Sequence, residues 1–127
     1  MQSLQQYIES VRYTPFKFGS HDCCLFAAKC VDAMHGTAFS GRVMEFGCKS
    51  EKEYRKLIRE GRTLEAMTKS VLGDPVDDSP RDGDVVLARI GGRATLCIAA
   101  PPVLIAAGRD GVIPAPMSCA ETVWRVG

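Results

Sequence analysis

The chain has 127 residues, 46% apolar and 24% charged, and a formal net charge of +1. These values describe one globular domain, 1–127, and exclude a disordered or collagen-like chain. Sixteen basic against fifteen acidic residues is too even a balance for nucleic-acid binding by phosphate neutralisation. The length is also too short for a kinase, a helicase or a Rossmann enzyme, although it suffices to bury a core without staples.

No stretch reaches the roughly 18 continuous apolar residues that a membrane span requires. The longest, Thr95 to Ala107, is broken by Pro101 and Pro102. Met1 to Ser10 is polar and lacks the basic start and apolar centre of a signal peptide, so the chain is expected to fold in a cytoplasm. Its six cysteines are then expected to be thiols and not a disulfide framework.

In chain order, Leu4, Tyr7, Ile8 and Val11 recur at helical spacing and predict a short helix over 3–12. An aromatic loop follows, from Tyr13 to Asp22. A second helix is expected from Cys23 to about His35, closed by Gly36. Residues 37–49 read as irregular. Ser50 and Glu53 have the spacing of a capping box and open a third helix with Tyr54, Leu57 and Ile58 inward, ended by Gly61. Thr63 is expected to cap a fourth helix burying Leu64, Met67 and Val71 and ending at Gly73. Asp74 to Gly83, with two prolines and four aspartates, is a polar connection.

The period then changes. Asp84–Ile90, Ala94–Ala100, Val103–Ala107, Gly111–Ala115 and Thr122–Val126 read as about five strands of an antiparallel meander, separated by Gly91-Gly92, Pro101-Pro102 and Asp110-Gly111. Helices first and strands second predict an α+β domain. The stretch from Pro101 to Ile105 is apolar on both sides of the strand alternation. One of its faces is therefore expected to need cover from another protein.

The chemistry concentrates where the aromatic loop runs into the second helix. Asp22 is a suitable N-cap for the amides of Cys24 or Leu25. Cys23 then stands at the positive end of the helix dipole, which favours a thiolate, while the Asp22 charge opposes it. His21, two residues before Cys23, is the one histidine near enough to act as its base. His35 is about 18 Å further along the helix. Cys23 and Cys30 share a face but lie about 10 Å apart, too far for one disulfide or one ion. His21, Cys23, Cys24 and Cys48 match no usual zinc spacing, so no metal or cofactor is expected. Cys97 and Cys119 read as packing residues. Lys49 to Arg62 reads as a solvated basic helix with interleaved glutamates.

The run Phe18-Gly19-Ser20-His21-Asp22-Cys23, the apolar helix after it, Gly83-Asp84-Val85-Val86 and the closing Trp124-Arg125-Val126-Gly127 resemble the NlpC-type papain-like cysteine peptidases and amidases. The similarity is greatest to their small members from phage and prophage tail gene clusters, and it spans about Tyr13 to Gly127. It implies a reduced papain-like fold with the N-terminal helices packed on the C-terminal meander, and Cys23 as nucleophile. It also implies a histidine on the strand after the Gly-Asp strand. Here that position falls on or near Ala94, and the next strand, Val103–Ala107, has no polar residue to orient one. The resemblance therefore implies a phage or prophage tail-tip (baseplate) component acting mainly as an assembly module. Its partners would be tail hub or distal tail proteins, and it would reside in the host cytoplasm and then in the virion tail. The alternative is an active cysteine amidase or endopeptidase that cleaves peptidoglycan during DNA entry. No nucleic acid and no membrane span belong to either reading.

Overall fold

A computed structural model of the chain describes residues 1–46, 50–60 and 62–126. Five helices precede five strands among them: α1 (Leu4–Val11), α2 (Cys23–His35), α3 (Phe39–Phe46), α4 (Glu51–Glu60), α5 (Arg62–Leu72), β1 (Val85–Ile90), β2 (Arg93–Ala100), β3 (Val103–Gly108), β4 (Gly111–Pro116) and β5 (Ala120–Trp124). The α+β class and the N-terminal position of the helices are as the sequence predicts. No helix is long and apolar enough to cross a membrane among the described residues.

Local chemistry sets most helix ends. Ser3 and Gln6 form a reciprocal capping box at α1. Asp22 caps α2, and Gly36 closes it in the left-handed region, φ +68°, where a glycine has no Cβ to strain. Ser50 Oγ accepts from the Glu53 amide at the start of α4. Helix α5 starts two residues earlier than expected, at Arg62, so Thr63 lies in its first turn and does not cap it. The end expected at Gly61 lies outside the described residues. Residues 39–46, expected to be irregular, form α3. The cause is Asp32 on α2, whose carboxylate accepts from the Phe39 and Ser40 amides at 2.7 and 3.0 Å and from Thr37 Oγ1. A neighbouring helix thus supplies the donors' partner that the local sequence lacks.

The sheet is antiparallel throughout, in the order β4-β3-β2-β1-β5. The first four strands form the expected meander. However, β5 pairs with β1 at the far edge, not with β4. The outer edge of β4 explains this. The Val112 amide points outward and donates to the Arg12 carbonyl at 2.9 Å. Positions 114 and 116 have the same parity, and both are prolines, so that edge has no donors left for another strand. The 3₁₀ turn Met117–Cys119 carries the chain across to β1 instead. Beyond β5, Val76 bridges Val123 and covers the other edge.

Both faces of the sheet are buried. On one, Val85, Leu87, Ala94, Leu96, Ile98 and Ile105 pack against Cys23, Phe26, Cys30 and Leu64 from the helices. On the other, Val86, Cys97, Ala99, Leu104 and Ala106 form a second cluster, with Met117 and Cys119 of the crossing turn against it. This corrects the expectation for Pro101–Ile105. Leu104 and Ile105 are buried inside the domain on opposite faces: the helices cover Ile105 and the β4–β5 crossing lies on the face of Leu104, so neither needs a separate protein, while Pro101 and Pro102 at the turn are exposed.

Candidate functional site

Cys23 is the first residue of α2 and packs in one buried cluster with Ala94, Leu96 and Ile98 of β2, as the sequence predicts. Asp22 Oδ1 accepts from the Leu25 amide at 2.9 Å, and Oδ2 accepts from the Gly19 amide at 3.1 Å. One carboxylate therefore fixes both the helix start and the loop before it.

The sequence did not reveal Tyr54 as a site residue. Its hydroxyl donates to Cys23 Sγ at 3.0 Å, and its oxygen accepts from the Cys23 amide at 3.3 Å. The rings of Phe16 and Phe18 hold the Tyr54 ring at centroid distances of 5.8 and 5.9 Å. Helix α4 is thus latched onto the first residue of α2. The only sequence signal was the inward helical spacing of Tyr54, which marks a core residue and names no partner.

Cys23 Sγ lies 3.9 Å from Cys24 Sγ. The thiol is held below its ordinary range by the Cys24 hydrogen bond first, then by Tyr54 and the Leu96 backbone, against burial and the Asp22 charge. Donors aimed at sulfur stabilise its anion, and here they outweigh the loss of water. By contrast, burial pushes the Cys30 and Cys97 thiols up to about 12. Burial and the facing Cys23 hold the Tyr54 phenol far above its ordinary value, so it remains a donor. We expect Cys24→Ala and Tyr54→Phe each to move the pH midpoint of Cys23 alkylation upward, read by mass spectrometry of the Cys23 peptide. An unchanged midpoint in both variants would remove this account of the thiol.

His21 is buried, 6% exposed, with its ring edge-on to Phe26 at 5.8 Å. Its Nε2 has no hydrogen-bond partner, and its ring makes no hydrogen bond to Cys23. Burial first, then the Lys29 charge, hold it below the ordinary imidazole range, against Asp22. The folded chain therefore refuses a proton that the unfolded chain accepts below about pH 6.5. Stability is expected to fall as pH drops through that value and to level off below the folded pKa. Urea midpoints at roughly pH 7.5 and pH 5 should differ less in His21→Gln than in the parent. Equal differences would mean that His21 titrates alike in both states.

His35 ends α2, and Cys48 lies outside the described residues. Among the described residues, no group of three or more His, Cys, Asp or Glu side chains is placed to hold a metal ion. Ala94 presents a methyl group to the Cys23 cluster. Ile105 and Ala107 from the next strand are apolar there too. Cys23 forms part of the floor of a groove of about 470 Å³ whose walls include Phe16, Phe18, Tyr54, Ile58 and Arg93. Tyr54 also lines a second cleft, of about 600 Å³, that reaches Cys24 and Asp22.

The site is a buried, hydrogen-bonded cysteine where a helix N-terminus meets the middle of an antiparallel sheet in an α+β domain. The chain belongs to the family described as Domain of unknown function (DUF6950), whose model matches residues 1–126. Among curated proteins, none matches the chain.

Proposed function

We propose that this protein is an assembly module of a phage or prophage tail tip, built on a reduced papain-like fold and not acting as a hydrolase. The viral setting, with tail hub or distal tail proteins as partners, rests on the sequence resemblance. The non-hydrolytic half rests on one observation. Both reactive groups of Cys23 are engaged by Tyr54, and neither histidine of the chain hydrogen-bonds to the thiol. A thiol nucleophile needs a base within about 3 Å to accept and return protons. The amide at the helix start, the natural donor to an oxyanion, is occupied by the Tyr54 oxygen. The protein works in the host cytoplasm during assembly and then as part of the virion tail.

One observation favours the alternative, an active peptidase or amidase on peptidoglycan: the donors around Cys23 favour its thiolate. Cys23→Ser separates the two readings. On the assembly reading, particle yield and plaque formation stay near the parent level. The new hydroxyl costs about 1 kcal/mol if it lacks a partner, which a domain of this size tolerates. On the hydrolase reading, particles assemble but fail to pass an intact wall, because the covalent step is gone.

A further inference from the structure

The groove over Cys23 has an asymmetry of charge that the site itself does not use. Arg55, Arg93 and Arg109 line it against a single acid, Glu51. Glu51 is already paired with Arg55 at 3.4 Å. Arg93 and Arg109 make no ion pair and no side-chain hydrogen bond among the described residues. They come from different hairpins, β1–β2 and β3–β4, which the antiparallel register brings to the same end of the sheet. Between them the walls are apolar and partly open. Phe16 is 38% exposed and Ile113 41%.

We propose that this groove is the docking site for an extended segment of a partner protein in which acidic side chains flank an apolar one. The carboxylates meet Arg93 and Arg109, and the apolar side chain lies on Phe16 and Ile113. The argument is charge complementarity joined to shape. Two uncompensated guanidinium groups favour carboxylates, which they bind through paired N–H donors. A volume of about 470 Å³ accommodates a few side chains and not a folded surface. The even overall charge and the apolar walls disfavour a nucleic-acid strand. The proposal rests on the assembly reading above and adds the chemistry of the partner.

The test is a selection of short random linear peptides against the intact protein, followed by binding measurements on the enriched peptides. Acidic peptides with interleaved apolar residues are expected. Their binding should weaken with added salt and by roughly tenfold in each of Arg93→Glu and Arg109→Glu. Lys69→Glu, the same charge change on α5 and outside the groove, should leave binding unchanged. Enrichment of basic or uncharged peptides, no enrichment, or affinities indifferent to both reversals overturns the proposal. Mass spectrometry of the bound peptide keeps the two readings apart. An intact peptide agrees with the module reading. A cleaved or Cys23-acylated peptide overturns that reading while the arginine dependence still supports the groove.

Discussion

Phe26→Asp is expected to abolish cooperative folding. Phe26 is fully buried on α2, with the Tyr7 ring at 5.7 Å and the His21 ring at 5.8 Å. Its carbonyl accepts the Tyr7 hydroxyl at 2.9 Å. The polar rings against it, His21 and Tyr7, are themselves buried and uncharged, so no cation stands ready and the charge must be desolvated, protonated or expelled. Each route costs more than about 5 kcal/mol together with the lost ring, comparable to the stability of an ordinary domain. Urea titration followed by circular dichroism should show no transition. A cooperative transition near the parent midpoint would mean that α2 does not lie at the centre of the core.

Trp124→Ala should be the next most damaging change. Trp124 closes β5, is 1% exposed, and pairs in register with Val85. Its indole Nε1 donates to the Gly73 carbonyl at 3.1 Å, tying the last strand to the end of α5. Removing the indole leaves a cavity and an unpaired carbonyl, about 3–5 kcal/mol in all. The melting temperature should fall on the order of 10 °C or more. Trp124→Phe keeps most of the volume and should recover more than half of the loss. If Phe is as damaging as Ala, the hydrogen bond and not the packing carries the effect.

The parts of this molecule that were legible in the sequence are those set by near neighbours. The Asp22 cap, the Gly36 stop and the Ser50 start each act within three or four residues, and the strand runs of the second half are bounded by their own turns. Helix α3 was hidden because its cap, Asp32, lies on another helix. The placement of β5 was misread as a continued meander, although Pro114 and Pro116 carried the warning that β4 has no outward donors. Half of the site was legible too. Cys23 announces itself by following an N-cap, and Ala94 by standing where the resemblance places a histidine. Tyr54 does not, because its contact with Cys23 spans 31 positions and depends on how α4 folds back over the sheet.

The non-hydrolytic role proposed for Cys23 can be checked on the cell wall itself, by incubating the purified protein and its Cys23→Ser variant with intact peptidoglycan sacculi and analysing both the soluble fragments and the mass of the protein. No fragments above the serine background and no acyl adduct on Cys23 are expected. Fragment release that requires Cys23, or a covalent adduct trapped on its sulfur by acid quenching, would contradict that role.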